Sequence, residues 1–384
     1  MSSLAAQEAP DSANGSDVPG SEEEKIYVAS QRQLMWWRFR KHRVAVGSTA
    51  VVLLLYVVAL ACEFLAPYDP SAHDAKYIYA PPQRVRFFSA DGFQLRPFVY
   101  ALEGERDPET LVMLYEEDRQ TIYPIYFFVR GAPYSFWGLF DSDLHLFGIK
   151  EEEGTMFLLG SDRNGRDLLT RILYGTRISM SIGLVGVILS LVLGVLIGGV
   201  SGYYGGPIDD VIQRIIEFLR SIPSIPLWLT LSAALPSDWS ALRIYLGITV
   251  ILSFIGWTGL ARVVRGRFLA LREEEFIMAA RFAGVSEMRI ILRHMVPSFL
   301  SHIIASLTLA IPNMILSETA LSFLGLGLRP PIVSWGVLLK EAQNVQAVAL
   351  APWLFLPGVF VVIAVLAFNF VGDGLRDAAD PYAN

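Results

Sequence analysis

The sequence predicts an all-α membrane protein with six transmembrane helices, and a small extracytoplasmic domain with some β structure between helices 1 and 2. The first observation is composition: the 384 residues are 53% hydrophobic, with a mean hydropathy of +0.44 that soluble proteins rarely reach. The second is a set of six apolar runs long enough to cross a bilayer. The third is a long segment after the first run that mixes charged and aromatic residues. The six runs lie at 44–62, 178–200, 211–235, 244–261, 298–320 and 353–373.

The beginning of the chain predicts a cytoplasmic tail, an interfacial helix and one span. Residues 1–30 are rich in Ser, Gly, Pro and acidic residues, which is typical of a disordered segment. Residues 31–43 combine basic residues with Trp36 and Trp37, which predicts an amphipathic helix on an anionic membrane surface. Such a segment is also typical of nucleic-acid binding, but transmembrane helix 1 follows directly at 44–66 and the net charge is −6. We therefore expect contact with membrane lipid and none with nucleic acid.

Residues 67–177 form a separate insert in this prediction, because they contain no run that could span a membrane. The stretch 85–100 has an Asp-Gly turn between apolar runs, which predicts a β-hairpin. The stretch 122–130 predicts another strand, which Pro124 places at a sheet edge because it lacks an N–H group. Two roles fit such a domain: it docks a protein that delivers substrate, or it only packs against a partner.

The end of the insert predicts a short interfacial helix that leads into span two. Its apolar residues share one helical face, and Gly175 is expected to end it. The transmembrane core then extends over residues 178–376, and residues 377–384 form a tail. In span three Pro223 and Pro226 predict a kink. Glu217 and Arg220 in that span are three residues apart, a spacing that suits an ion pair.

The distribution of basic residues predicts the orientation in the membrane. The short loops on the side of the N-terminus hold 14 Lys and Arg residues, whereas the short loops on the other side hold 3. Cytoplasmic loops carry the excess of positive charge. Both termini and the loop 262–296 are therefore expected in the cytoplasm, and the insert outside it.

The most polar stretch between the later spans, residues 272–297, predicts two helices joined by a glycine turn. Gly284 stands where a helix C-terminus needs a left-handed residue, and Ser286 is a candidate N-cap for the second helix. The purely structural interpretation of this stretch is a capped connector between two spans. One face of the first helix is expected to hold mostly small residues, namely Phe276, Ala279, Ala280 and Ala283.

This stretch resembles the "EAA" loop of bacterial ABC importer permeases, which docks into the cytoplasmic ATPase subunit. Met278 stands where the family has an acidic residue, although Glu273, Glu274 and Glu275 lie just upstream. The resemblance implies that the loop couples the chain to an ATPase. The residues that it assigns to this coupling are Glu275, Ala279, Ala280, Gly284, Arg289, His294 and Pro297.

Three further stretches are similar to the dipeptide and oligopeptide permeases of that family. They lie at 160–167, where Ser161 replaces the family's threonine, at 322–336 and at 369–381. The second is rich in Gly and Pro, whose irregular backbone is tolerated at membrane depth only where water or protein contacts it. An ionisable residue within a span is a functional candidate by default. A gate or translocation path is therefore expected at Glu318, Gly325, Gly327 and Trp335.

The resemblance implies a multi-pass permease subunit of an ATP-driven importer in the bacterial inner (cytoplasmic) membrane, translocating di- or oligopeptides by alternating access. The partners it implies are a second homologous permease, two cytoplasmic ATPase subunits and an extracytoplasmic solute-binding protein. The sequence has no Gly-x4-Gly-Lys-Ser/Thr phosphate loop, so ATP and magnesium are expected on the ATPase subunits, and this chain is not expected to be an enzyme or to have catalytic residues. One cysteine, Cys62, and no Cys/His metal spacing predict no metal or other cofactor.

Other functions stay open at this point. Within the same transporter class, the alternative solutes are nickel, an opine and an oligosaccharide. A proton-coupled secondary carrier is an alternative from another class, but it requires acidic or histidine relays in several spans, and these are sparse here. A membrane scaffold without transport activity is a further alternative, which leaves the polar loop unexplained.

Overall fold

The computed structural model describes residues 31–379 with the exception of 90–91, 111, 152–153 and 237. The predicted tail 1–30 and most of the tail 377–384 lie outside the described residues, as does the Asp of the predicted hairpin turn.

Three helices open the described chain: α1 Gln31–Lys41, α2 Arg43–Leu60 and the short α3 Cys62–Leu65. The helix predicted over 31–43 is therefore confirmed as far as Lys41, but its apolar and basic side chains do not separate onto two faces as predicted. Trp36 and Trp37 are exposed, whereas Phe39 packs against the end of the bundle. Helix α2 is long and apolar enough to cross a membrane, and it ends at Leu60 rather than at 66.

The insert holds two small antiparallel sheets. Strands β1 Arg86–Ser89, β2 Gly92–Arg106 and β3 Met113–Pro124 form the first in that order, and β4 Tyr126–Phe136 pairs with β5 Phe140–Gly148 in the second. The predicted hairpin over 85–100 is confirmed, with Ser89 opposite Gly92. The prediction of one strand over 122–130 is wrong: Pro124 ends edge strand β3, and the chain enters the other sheet after Ile125.

Helix α4 extends from Leu168 to Tyr204 without interruption. The prediction of a separate interfacial helix ended by Gly175 is wrong. Gly175 instead admits the indole of Trp335, since a Cβ there would lie 3.3 Å from the ring. The helical bundle thus begins at 168 and not at 178, and α4 has a length of about 55 Å.

The third apolar run forms two helices, α5 Gly206–Ser221 and α6 Ser224–Ala233. The chain is extended at Ile222 and Pro223, so the expected kink is a complete break. The described residues contain five helices that are long and apolar enough to span a membrane, and neither half of this run is one of them. A count of six continuous spanning helices is therefore not met.

Helix α7 Ala241–Leu271 and the loop after it complete the middle of the chain. The loop contains α8 Glu275–Phe282, α9 Glu287–Ile290, a π-turn Ile291–Met295 and α10 Val296–Ser298. The remaining helices are α11 Leu300–Phe323, α12 Trp335–Glu341, α13 Val345–Leu350 and α14 Leu356–Ala379, with a 3₁₀ turn at Pro352–Phe355 before the last.

The main core lies between α2, α4, α7, α11 and α14. Glycines of α4 let α7 approach closely: a Cβ at Gly202 would lie 2.6 Å from the Arg265 carbonyl oxygen. We name the two ends of the bundle after α4. The sheet end is at Leu168, near the hairpin β4–β5, whose Trp137 indole donates to the Leu60 carbonyl at 2.9 Å. The loop end is at Tyr204, where the loop 272–297 packs.

Candidate functional site

The loop 272–297 contains the predicted pair of helices and the glycine turn. Gly284 has φ +72°, the left-handed conformation that glycine adopts without steric cost. Its N–H donates to the Arg281 carbonyl at 3.0 Å, and the Val285 N–H donates to the Ala280 carbonyl at 3.1 Å. These two bonds define a Schellman C-cap, which fixes the direction of the chain after α8. Ser286 occupies the N-cap position of α9, but its side chain does not cap the helix.

The first helix of the loop packs against the bundle mainly through a residue outside the predicted small-residue face. Ile277 is fully buried and Ala280 is partly buried against the core, while Phe276, Ala279 and Ala283 are exposed. Most of the predicted small-residue face is thus open to another surface.

Aromatic side chains at the end of α4 hold the loop in place. The Tyr204 hydroxyl donates to Glu287 Oε2 at 2.6 Å. The Arg281 guanidinium lies over the Tyr203 ring, 4.7 Å from its centroid. Further along the loop, Ile290 and Met295 are buried in one cluster with residues of α7. These contacts join the loop to the ends of α4 and α7.

Large apolar side chains remain exposed on the outer surface of this loop. Phe282 is 91% exposed, and Met288 and Leu292 are more than half exposed. Large contiguous apolar patches on protein surfaces are typical of interaction sites, and contact of these side chains with a partner stays a prediction. Of the residues assigned to coupling, Arg289 and Pro297 line a shallow groove with Met288, Leu292 and two neighbours, Ser286 and Arg293. Glu275, Ala279 and Gly284 are exposed and His294 is half-buried; their contact with an ATPase stays a prediction.

The predicted gate residue Glu318 is fully buried at the sheet end of α11. It accepts hydrogen bonds from the hydroxyls of Ser334 at 2.7 Å, Ser322 at 2.8 Å and Ser179 at 3.4 Å. Ser179 in turn accepts the backbone N–H of Trp335 at 3.1 Å. In this conformation the carboxylate is enclosed by serines, and this arrangement joins α4, α11 and α12.

The other predicted gate residues surround the same cluster. Trp335 is fully buried, and a Cβ at Gly327 would lie 2.5 Å from Ser322 Oγ. Gly325 has φ +83° and turns the chain after α11. The structure thus brings the four predicted residues to one region, and a role in gating or translocation stays a prediction.

Sequence reasoning missed a cavity of about 480 Å³ midway along the bundle. It lies between α4, α7, α11 and the break between α5 and α6, and Arg220 and Trp228 line it. The expected pair of Glu217 with Arg220 is wrong, because Glu217 Oε2 accepts from Arg214 Nη1 at 3.0 Å on the exposed side of α5. The signal for the cavity was the pair of prolines, since broken backbone at this depth must contact water or protein.

A cluster of buried charges at the sheet end was also missed. Arg171 is almost fully buried and pairs with Asp162 and, at 3.1 Å, with Glu341 Oε2. Arg166 joins the same two acids, at 2.7 Å to Asp162 Oδ2 and 3.0 Å to Glu341 Oε1. The neighbouring Asp167 caps α4 by accepting the Thr170 N–H at 2.7 Å, and burial raises its pKa to about 6. Within the described ranges no cluster of His, Cys, Asp and Glu is suited to hold a metal ion.

Two family profiles match this chain. The profile described as binding-protein-dependent transport system inner membrane component matches residues 168–383, and that of the N-terminal transmembrane domain of oligopeptide transport permease C matches residues 30–82. The two ranges leave residues 83–167, which contain all five described strands, between them.

Similar proteins include named peptide permeases. The oligopeptide transport system permease protein OppC of Haemophilus influenzae is 38% identical over 67% of this chain and 81% of its own length. The dipeptide transport system permease protein DppC of Alkalihalophilus pseudofirmus is 42% identical over 58% of this chain and 71% of its own. Among solved structures, an inward-facing MetNI methionine ABC transporter aligns with 55% of this chain and 97% of its own at 19% identity and a TM-score of 0.42.

Proposed function

This chain belongs to the family of binding-protein-dependent transport system inner membrane components, and we propose that it is the permease subunit of an ATP-driven importer of di- or oligopeptides. The matched profile includes the whole helical bundle from 168 onward, and the loop 272–297 lies within it. Relatives 38–42% identical to this chain are named as oligopeptide or dipeptide permeases, which supports a peptide as the solute.

The observation that carries this proposal is the geometry of the loop 272–297. It exposes apolar side chains such as Phe282 on one side, and on the other it is bonded to the end of α4 through Tyr204 and Glu287. A loop of this kind suits the transfer of movement from a docked protein into a helical bundle. We propose that closure of two ATPase subunits moves the loop and changes the bundle from inward-facing to outward-facing.

The remaining partners and the chemistry follow from the same proposal. A second homologous permease would complete the transmembrane pathway, and an extracytoplasmic binding protein would deliver the solute. ATP hydrolysis would occur on the ATPase subunits, because this sequence has no phosphate loop. Saturable ATP hydrolysis by the purified chain alone would contradict this assignment.

We further propose that the broken pair α5–α6 supplies the sixth crossing of the membrane. Asp209 at the start of α5 pairs with Arg265 of α7, and Leu235 after α6 contacts the site of Gly247 near the other end of α7. The 18 residues of α7 between these contacts correspond to about 27 Å of helix. This length is close to the thickness of about 30 Å of a bilayer's hydrocarbon core.

The excess of basic residues supports a cytoplasmic loop 272–297 and sheets on the opposite side of the membrane. A pair of single cysteines in a Cys62→Ala background tests this topology. Glu109→Cys, in the insert, should react with an impermeant maleimide in intact spheroplasts. Arg293→Cys, in the loop, should react only after lysis. The reverse labelling pattern would show that the proposed orientation is inverted.

Uptake of a labelled peptide tests the function itself. The chain is expressed with its partner subunits in cells that lack other peptide importers, and entry of labelled trialanine is measured. We expect uptake that depends on this chain, is lost on ATP depletion and persists when a protonophore collapses the proton gradient. Uptake abolished by the protonophore at normal ATP would support a proton-coupled carrier instead. Transport of nickel or an oligosaccharide without transport of trialanine would identify another solute.

A further inference from the structure

The cavity midway along the bundle is lined by a positively charged side chain, Arg220, which is exposed in this structure. Arg220 Nη1 lies 3.7 Å from the position that a Cβ would take at Gly259. Gly259 is 18 residues from the first and 12 from the last residue of α7, so the guanidinium lies near the middle of that helix. A charged side chain at this depth is costly in lipid, and such residues face a water-filled cavity or a partner group.

No carboxylate of this chain neutralises Arg220 in the part that the structure describes. The ion pairs among the described residues do not include it, and it is the only charged residue among those that line the cavity. A guanidinium carries its positive charge at every physiological pH and presents five N–H donors. The cavity therefore attracts anions and repels cations.

The other polar groups of the cavity add a second donor. The indole N–H of Trp228 is buried and has no acceptor among the described residues. By contrast, the hydroxyls of Ser317 and Thr258 donate to their own helices, at 2.7 Å to the Asn313 carbonyl and 2.8 Å to the Ile255 carbonyl. The donors without an acceptor among the described residues include Arg220, Trp228 and the hydroxyl of Ser224, which favours a ligand that accepts hydrogen bonds.

We propose that Arg220 binds the carboxylate of the solute as it passes through this cavity, so that the pathway favours peptides with a free C-terminal carboxylate. The inference rests on the proposed function, and it adds a selective contact within the membrane to the selection made by the binding protein. The volume of about 480 Å³ lies within the range of about 300–1,000 Å³ typical of small-molecule sites.

The test compares two probes that differ only at the carboxyl end, trialanine and trialanine amide. Uptake of each is measured through the complete importer, and uptake by cells without this chain is subtracted. The binding protein is the same in every strain, so its own preference cancels when a variant's acid-to-amide ratio is divided by that of the wild type. Arg220→Gln should lower this ratio about tenfold, the effect of losing one charge-assisted hydrogen bond. Arg220→Lys should restore most of it.

A second pair of variants leaves Arg220 in place. A Cβ at Gly259 makes only ordinary van der Waals contact with the guanidinium. Gly259→Asp therefore supplies a carboxylate that occupies Arg220, and it should lower the acid-to-amide ratio as Arg220→Gln does. Gly259→Asn has nearly the same shape without the charge and should retain the ratio. Arg214→Gln, on the exposed side of α5, is the control for loss of a positive charge elsewhere on the same helix.

The outcomes separate this inference from the proposed function. An acid-to-amide uptake ratio that is lower in Arg220→Gln and in Gly259→Asp than in the wild type, at matched membrane abundance, supports the carboxylate contact. Equal loss of both probes would show that Arg220 pairs with protein, and unchanged uptake of both would show that it contacts neither; each result overturns the inference and leaves the peptide permease intact. If the Arg220→Gln variant does not accumulate in the membrane, the comparison of Gly259→Asp with Gly259→Asn tests the carboxylate contact instead. A wild type that transports neither probe would overturn the proposed function and the inference with it.

Discussion

The two ends of the helical bundle differ in which side chains they bury and which they expose. At the sheet end, Arg171 and Asp162 are buried and form ion pairs within one cluster that joins α4 to α12. At the loop end, apolar side chains such as Phe282 and Met288 are exposed, although each would be more stable out of water. The sheet end therefore buries charged side chains, whereas the loop end exposes apolar ones.

The difference shows which end is complete in this chain alone. Buried ions are stable only when their partners satisfy them, so the paired cluster at the sheet end needs nothing further. Covering exposed apolar side chains with another protein lowers the free energy, so the loop end is the end that a proposed partner would stabilise. We expect substitutions at the sheet end to change stability, and substitutions at the loop end to change coupling.

The largest effect is expected for Arg171→Met at the sheet end. The substitution leaves Asp162 and Glu341 with one cation fewer, and breaking a buried ion pair destabilises a protein by about 3–5 kcal/mol. Arg130→Met is the matched control, because Arg130 is 84% exposed and lies 3.7 Å from Asp143. Its loss should change stability by about 1 kcal/mol or less. Thermal unfolding of the purified variants measures both, and equal changes would remove the distinction between buried and exposed pairs.

The next effect is a pH dependence at Asp167. Burial raises the pKa of this carboxyl to about 6, whereas an unperturbed Asp has a pKa of about 3.9. Between these values the folded chain binds a proton that the unfolded chain has released, so this group makes stability fall as pH rises from about 4 to about 6. The loss amounts to about 3 kcal/mol and is complete above that range.

Asp167→Asn should remove this loss, since Asn is an equally good N-cap for the Thr170 N–H. The variant should therefore become more stable relative to the wild type as pH rises from 4 to 7. Asp107→Asn is the control of opposite sign, because the backbone N–H groups of Thr110 and Glu109 lower the pKa of this exposed carboxyl, so its contribution to stability is lost only as pH falls below about 4. A constant difference between Asp167→Asn and the wild type over this pH range would contradict the prediction.

A smaller effect on stability, with a larger one on coupling, is expected for Gly284→Val at the loop end. A side chain at φ +72° strains the turn by about 1–2 kcal/mol, and no neighbouring atom lies within contact of the new Cβ. The variant should remain inserted in the membrane but lose ATPase docking or peptide uptake. Gly266→Val is the control, since Gly266 has open space around it without a positive φ. Normal uptake and ATPase co-purification for Gly284→Val would show that the loop is an ordinary connector.

The smallest effect is expected for Met278→Glu, which places an acid where the resembling loops carry one. Met278 is 42% exposed in the first turn of α8, where a negative charge is favourable. Stability should change by about 0.5 kcal/mol or less, and uptake should be retained. Uptake reduced to the level of Gly284→Val at equal membrane abundance would show that the docked surface requires an apolar residue there.

Local patterns predicted the elements whose residues interact with near neighbours in the chain. The hairpin over 85–100, the turn at Gly284 and the helix over 31–43 depend on short-range backbone geometry, and all three are present. The single strand over 122–130 and the helix end at Gly175 were predicted wrongly. The chain leaves the first sheet at Pro124, and β4 pairs with β5 instead of extending β3. At Gly175 the helix continues, and the glycine allows the close approach of the distant Trp335.

The sequence by itself determined the class of protein, the apolar runs and the spacing of the loop 272–297, because hydropathy and turn chemistry are local properties. Only the tertiary structure decided that Glu318 is enclosed by serines, that Arg171 pairs with the distant Glu341 as well as with Asp162, and that Arg220 faces a cavity. These environments join residues up to 170 positions apart. The sequence of a span does not show whether a charged residue is paired, enclosed or free to bind a ligand. Its environment depends on how distant segments pack around it.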